Sequence, residues 1–230
     1  LFVWVCDVAL HTLVGRESSA SAGESPAESK PLNTRSCLLD SSFQKRNRLH
    51  LAAGNVVPLH KNRLWLVVKG MVKLGAVSVH GDELLLGLAG PNETFGEPLS
   101  TVQAYEAVTL TDSDLLCMTM GEVRESQDLA NDLLGAVVLR HRQSEYLLSL
   151  LGLRRVEERV RGFLELLAQD YGQPCDQGLR LNLRLTHQEM ASALSTTRVT
   201  VTRVIGLLRD EGWLKIDGQR HLVITHLPCK

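Results

Sequence analysis

Arg198 and Arg203 stand five residues apart in the stretch Leu185–Arg209, which reads as two short helices joined by a tight turn. A guanidinium group is planar and offers paired N–H donors that match the O6 and N7 acceptors of guanine in the major groove of DNA. A correct pair is worth about 1–3 kcal/mol of base discrimination. Val199 can offer a base only an apolar contact, such as one with a thymine methyl. Thr197, Thr200 and Thr202 can donate hydroxyls to phosphates. The candidate DNA-binding set is therefore Thr197, Arg198, Val199, Thr200, Thr202 and Arg203.

The elements needed to present these groups are legible around them. Thr186 followed three residues later by Glu189 forms a capping box that starts the first helix, and Met190, Ala193 and Leu194 give that helix one apolar face. Thr197 is placed to cap the second helix. Along it Val201, Val204, Ile205 and Leu208 share a side to be buried, and Arg198, Val199, Thr202 and Arg203 fall on the opposite side. An ordinary amphipathic helix with solvated arginines is the plain alternative. Two helices, their caps and the strands that follow all agree on one motif, which weighs against it. After Gly212, the runs Trp213–Ile216 and Gln219–Thr225 flank Asp217-Gly218, predicting a hairpin closed by a type I′ turn and hence a winged helix-turn-helix. Residues 176–230 hold eight Lys/Arg against five acids, a formal +3 on a chain whose total is −1. A modestly positive end suits a phosphate-backbone partner and predicts salt-sensitive affinity.

The run Thr197-Arg-Val-Thr-Val-Thr-Arg203 resembles the recognition helix of the cyclic-AMP receptor protein/FNR family of transcription regulators, and within it the branch of the cyanobacterial global nitrogen regulator. Val199 stands where the wider family commonly has an acid, which points to that branch. The resemblance implies palindromic double-stranded DNA with GTA/TAC-type half-sites, a homodimer, and RNA polymerase as a further partner. Ser195 departs from the pattern, since the family usually has glycine in the turn between the helices, at a position favouring left-handed backbone angles. Serine there costs about 1 kcal/mol without excluding the turn.

Upstream, over roughly residues 40–125, short apolar runs alternate with turn residues in the manner of a small antiparallel jelly roll. In Arg63–Leu74, Leu64, Leu66 and Val68 alternate with Trp65 and Val67, Lys69-Gly70 turns the chain, and Met71–Leu74 begins the return strand. Glu83–Ala89, Ala107–Leu110 and Leu115–Met118 supply further strands. Such a domain resembles the family's effector-binding roll. Between roll and reader, about Leu129 to Leu151, a helical pattern carries a stripe at Ala130, Leu133, Val137, Arg140, Ser144, Leu147 and Leu151 whose spacing alternates three and four. That is the seam of a two-stranded coiled coil, so a homodimer is expected. A second stripe, Leu134, Val138, His141, Glu145 and Leu148, is expected to cover the roll. Twofold symmetry would set two recognition helices about one DNA turn apart.

Arg140 interrupts the apolar seam, and residues of that kind fix register, pair with a charge, or hold a ligand. The nitrogen regulator's 2-oxoglutarate pocket resembles this region, having an arginine and, five residues on, a glutamate on the helix, together with backbone after a Phe-Gly pair on the roll. Arg140, Glu145, Phe95 and Gly96 match. The arginine that the family carries on the next loop has no counterpart, and Glu97 is expected beside the pocket, which should weaken any dicarboxylate. The cyclic-AMP cassette is present only as Gly96-Glu97, without the Arg-Ser pair that grips the phosphate, so cyclic AMP is disfavoured. The effector set is Phe95, Gly96, Glu97, Arg140 and Glu145, with 2-oxoglutarate or another small anion as effector. Altered metabolite site, register residue, and salt bridge from Arg140 to Glu145 across the interface all remain open.

The fold class is accordingly α+β: an N-terminal antiparallel β-roll, a long dimerisation helix and a C-terminal winged helix-turn-helix domain. The boundaries are a variable tail and linker over 1–36, the roll over 37–125, the helix over 126–152 and the reader over 153–230. Five scattered cysteines, Cys6, Cys37, Cys117, Cys175 and Cys229, match no CxxC spacing and argue against zinc or an iron–sulfur cluster. Reduced thiols in a cytoplasm are expected, with Cys117 in the core. The apolar run Leu1–Val14 is too short for a membrane span, contains Asp7 and lacks a basic leader, so neither a span nor a secretory signal is expected. Jelly rolls also house metalloenzymes, but His60 and His80 are isolated and no His-x-His precedes a glutamate. No catalytic residue, metal site or enzymatic activity is expected. A DNA-binding regulator whose roll only scaffolds the dimer, without a ligand, is the rival reading.

Overall fold

Leu64, Trp65, Leu66 and Val67 are all buried, because the strand they form is covered on both faces. Trp65 and Val67 pack into the roll with Val72, Leu74, Phe95 and Ala107, whereas Leu64 and Leu66 pack outward under a helix. A strand sandwiched in this way carries an unbroken apolar run instead of polar alternation. The computed structural model describes residues 48–225 apart from 80 and 82. The tail expected over 1–36, Cys6, Cys37 and Cys229, and the isolated His80, lie outside the described residues.

The roll consists of β1 (Arg48–Leu51), β2 (Arg63–Lys69), β3 (Val72–Val77), β4 (Glu83–Ala89), β5 (Thr94–Phe95), β6 (Tyr105–Thr109) and β7 (Ser113–Thr119). Two antiparallel sheets, in the orders β1-β7-β2-β5 and β4-β3-β6, enclose its core. Gly70 turns the chain between β2 and β3 at φ +95°, and a Cβ there would collide with Ser113. Pairing of β3 with β4 passes from Leu74↔Gly87 to Gly75↔Leu85, so Leu86 is the extra residue of a bulge in β4. Cys117, paired with Trp65 across β2 and β7, packs against the roll core and is half-buried.

A Thr119–Glu122 capping box begins α1 (Met120–Glu125), and Ser126, accepting from Leu129 N at 3.3 Å, caps α2 (Gln127–Leu151). The expected roles of the two stripes on α2 need correcting. Leu129, Leu133 and Ala136, with Ala130 and Val137 partly buried, pack on Leu64, Leu66, Leu116 and Met118 of the roll. Leu134, Val138 and Leu148, assigned to the roll from the sequence, are 63%, 41% and 70% exposed. Both stripes are apolar and adjacent, and their spacing alone does not say which faces the chain's own sheet. The outward stripe Leu134, Val138, His141, Glu145, Leu148 has four-three spacing too, and its apolar members are not covered by the chain's own roll.

Beyond α2 come α3 (Val156–Tyr171), β8 (Gly172–Cys175), β9 (Gly178–Leu181), α4 (His187–Ala193), α5 (Arg198–Asp210), β10 (Leu214–Ile216) and β11 (Leu222–Ile224). The hairpin β8–β9 extends the β10–β11 pair into a four-stranded antiparallel sheet, ordered β10-β11-β9-β8. Phe163, Leu164 and Leu167 of α3 pack with Met190, Leu194, Val201 and Ile205, and the same cluster takes in Met71 and Leu88 of the roll. No helix among the described residues is long and apolar enough to cross a membrane.

Candidate nucleic-acid interface and the cavity behind it

The Thr186–Glu189 capping box is formed in full. Thr186 Oγ1 accepts from Glu189 N at 3.1 Å, and the Glu189 carboxylate accepts from Thr186 N at 2.8 Å. At its other end α4 closes into a turn in which Ser195 has φ +49° and Thr196 N donates to Ala191 O at 3.0 Å. The left-handed backbone expected at this serine is therefore present. Thr197 caps α5 by accepting from Thr200 N at 3.2 Å. Val201, Val204, Ile205 and Leu208 are buried, and Arg198, Val199, Thr202 and Arg203 are exposed, Val199 at 78%.

The threonine hydroxyls have partners within the fold. Thr202 Oγ1 donates to Arg198 O at 2.9 Å and meets His187 Nδ1 at 2.8 Å, and the Thr197 and Thr200 hydroxyls meet at 2.9 Å. A β-branched hydroxyl on a helix readily bonds the carbonyl one turn back, which satisfies its donor internally. Arg198 and Arg203 make no ion pair among the described residues, so the protruding groups are two guanidiniums and one valine. His187, at the start of α4 and in contact with α5, belongs beside this surface. Its only signal in the sequence is its place directly after the cap.

Several contacts hold the reader rigid. Arg159 of α3 donates to Leu153 O at 2.8 Å and to Leu194 O at 3.1 Å, tying down the end of α4. Arg161 lies 4.7 Å from the centre of the Trp213 ring and pairs with Glu211. The wing turn is not the expected type I′. That turn needs positive φ at both Asp217 and Gly218, and neither has it; the positive φ, +64°, is at Arg220. Asp217 Oδ1 instead accepts from Gln219 N at 2.9 Å and His221 N at 2.8 Å, giving a three-residue loop organised by the aspartate. Those backbone bonds, with Arg180 and His221 beside it, hold the Asp217 carboxyl below its ordinary range.

Behind the reader lies a cavity of about 430 Å³, walled by β4, Phe95, Tyr105, the stretch of α2 from Arg140 to Leu151, Leu148 of the outward stripe included, and Ala193 of α4. One space thus touches roll, long helix and reader. It is mainly apolar, with Arg140, Ser144, Tyr105, Thr94 and Ser100 as polar residues in its lining. Arg140 Nη1 donates to Leu88 O at 2.6 Å and to Gln143 Oε1 at 2.9 Å. Burial raises the Tyr105 phenol, while Arg140 and the Gly96 backbone pull it down. Of the five residues expected to hold an effector, Phe95 and Arg140 line this cavity and Gly96 is adjacent. Glu97 instead lines a second, more polar cavity of about 440 Å³ with Lys61 and Gln103. Glu145 lies on the outward side of α2, 3.2 Å from His141, and does not meet Arg140. Five residues at about 100° each separate two side chains by about 140° around a helix, so one helix cannot aim both into one site.

Gln143 and Tyr171 escaped the sequence reading. Gln143 lies on the same side of α2 as Arg140, three residues on, which was the available signal. The single O–H of Tyr171 lies between two acceptors, Leu88 O at 3.1 Å and Glu93 Oε2 at 2.9 Å. Burial, then the Glu93 charge, hold its phenol well above the ordinary range, so it remains a donor. Burial likewise raises the Glu93 carboxyl above 4.5, against the Gly90 N–H, Tyr171 and Arg140, which lower it. A carboxyl raised on folding favours the protonated form in the folded state. The stability linked to it is present in acid and is lost as pH rises from 4.5 upward. Glu93→Gln, which keeps the acceptor but cannot ionise, should gain thermal stability relative to the parent as pH goes from about 4 to about 8. A melting-temperature gap that stays flat across that range would refute the assignment.

Comparison with known proteins places these features. Residues 158–228 match the Crp-like helix-turn-helix domain, and residues 58–126 match the cyclic nucleotide-binding domain. The regulatory protein CysR of Synechococcus elongatus is 35% identical over 185 residues, covering 79% of this chain and 85% of that protein. The global nitrogen regulator of a Nostoc species is 33% identical over 176 residues, covering 72% and 78%. Among solved structures, FixK2 from Bradyrhizobium japonicum superposes with a TM-score of 0.67 at 18% identity, over 78% of this chain and 92% of that one, a likeness of fold. A CRP/FNR-family transcriptional regulator from Thermus thermophilus gives a TM-score of 0.58 at 28% identity, over 79% and 94%.

Proposed function

The chain belongs to the CRP/FNR family of DNA-binding transcription regulators, and on that premise we propose that it works as a homodimer whose grip on palindromic DNA is set by a small anion in the cavity beside Arg140. The observation that carries this reading is that a single cavity of about 430 Å³ is bounded by the roll, by α2 and by Ala193 of α4. The volume suits a metabolite, and a ligand there touches the reader directly. Arg140 supplies the counter-charge. Similarity to the global nitrogen regulators makes 2-oxoglutarate the first candidate and nitrogen or carbon status the signal, with cyclic AMP disfavoured by the missing Arg-Ser pair.

Arg198 and Arg203 read guanine edges, Val199 contacts a thymine methyl, and Thr197, Thr200 and Thr202 shape the helix start close to the phosphates. GTA/TAC-type half-sites, RNA polymerase as a partner and a cytoplasmic setting complete the reading. Dimerisation runs through Leu134, Val138, His141, Glu145 and Leu148, which makes Glu145 a seam residue. The domains divide as roll to about residue 125, helix 126–152 and reader from 153. One observation favours the rival, ligand-independent scaffold: Arg140 Nη1 already has two internal acceptors, Leu88 O and Gln143 Oε1.

Operator selection from a random duplex library, followed by 2-oxoglutarate titration at fixed salt, separates the two. An effector reading expects a change of about 5–150-fold in operator affinity, the span of ordinary allosteric coupling. Affinity indifferent to 2-oxoglutarate and to other small dicarboxylates leaves the scaffold reading in possession.

A further inference from the structure

Gln143 is only 6% exposed, and every hydrogen-bonding position of its amide is taken. Oε1 accepts from Leu88 N at 3.1 Å and from Arg140 Nη1 at 2.9 Å. Nε2 donates to Tyr171 Oη at 2.8 Å and to Asp170 Oδ2 at 3.3 Å. A primary amide has two acceptor and two donor positions, so four bonds saturate it. The orientation is also determined: the reverse would press the NH₂ group against a guanidinium and a backbone N–H. Such an amide reports a change on its Arg140 side as a change on its Tyr171 side.

Two further features serve the same contact. Gly87 sits in the bulged part of β4 at φ +149°, and a Cβ there would lie 2.7 Å from Arg140 Nη1 and 2.8 Å from Gln143 Oε1. The strand is thus stripped of a side chain where the two heads rest. Tyr171 in turn closes α3, the helix whose Arg159 ties down the Leu194 carbonyl at the end of α4. Arg140 faces the cavity, Gln143 is buried, and Tyr171 belongs to the helix that carries the reader.

We propose that Gln143 is the positioning residue through which the state of Arg140 in the cavity is passed to α3 and the DNA reader. This rests on the reading of the cavity as an effector site. An anion that draws the guanidinium into the cavity takes a donor from Gln143 Oε1 and from Leu88 O. A buried acceptor left short is unfavourable, so the amide and its Tyr171 and Asp170 partners re-settle.

The test is a double-mutant cycle on operator affinity in the full chain without ligand, combining Arg140→Met with Tyr171→Phe, first with Gln143 present and then with Gln143→Met. The expected result is non-additivity of about fivefold or more with Gln143, falling to additivity within about twofold once it is replaced. A residue that only fills space would lower thermal stability on replacement and leave the non-additivity intact. Additive effects with Gln143 in place overturn the proposal. Should the Gln143→Met chain not fold, hydrogen exchange decides instead: Arg140→Met should speed exchange at residues 168–171, and unchanged protection overturns the relay. Titration with 2-oxoglutarate keeps the two readings apart. A non-additive cycle in a chain indifferent to the ligand upholds the relay and removes the effector. A responsive chain with an additive cycle does the reverse.

Discussion

Leu134→Glu is expected to leave the protomer folded and to lower operator affinity by about 10²–10⁴-fold, the loss that follows when two half-site contacts are no longer linked. Leu134 is 63% exposed on α2, so its own chain gains little from it, and a substitution at such a position normally shifts stability by no more than about 0.5 kcal/mol. In the proposed dimer the same position lies on the four-three stripe with Val138, His141, Glu145 and Leu148. A twofold axis places two copies of every seam residue in one interface, so one substitution buries two unpaired carboxylates there. Val79→Glu is the matched control. Val79 is 97% exposed and lies off the seam, so the same change there should alter neither dimerisation nor DNA binding. Sedimentation and fluorescence anisotropy on one operator check both. A Leu134→Glu protein that remains dimeric would return the seam to the inner stripe, against the packing of Leu133 and Ala136 on the roll.

Arg203→Ala should cost about 1–3 kcal/mol of discrimination in each half-site, about 5–150-fold, and both half-sites lose it together. The side chain stands on the exposed face of α5 without an ion pair among the described residues, so removing it disturbs no internal contact. Stability should hardly change. Binding to random DNA should fall much less than binding to the selected operator, because a base contact carries sequence information and a phosphate contact does not. Measuring both duplexes at several salt concentrations separates the two roles. If affinity for both falls in parallel, Arg203 is a phosphate ligand and the base reading passes to Arg198.

Much of the reader was legible without coordinates. The Thr186–Glu189 box, the Thr197 cap and the buried face of α5 follow from spacing, because caps and helix faces are set by residues three and four apart. The strand Glu83–Ala89 has its read boundaries for the same local reason. The wing turn shows where local reading stops. Asp-Gly between apolar runs suggests a two-residue turn, yet Asp217 captures two backbone N–H groups and is flanked by Arg180 from β9, and the left-handed residue becomes Arg220.

The long helix marks the division most clearly. That residues about 129–151 form one amphipathic helix was determined by the sequence alone, since helical period is a property of near neighbours. Which stripe meets the roll and which is left outward, that Arg140 reaches Leu88 within its own protomer, and that Gln143 joins it to Tyr171 were decided only by tertiary structure. Arg140 and Leu88 are 52 residues apart, and Gln143 and Tyr171 are 28. Bonds across such separations exist only once sheets and helices have packed and excluded water, and no local spacing encodes which polar group will be buried beside which.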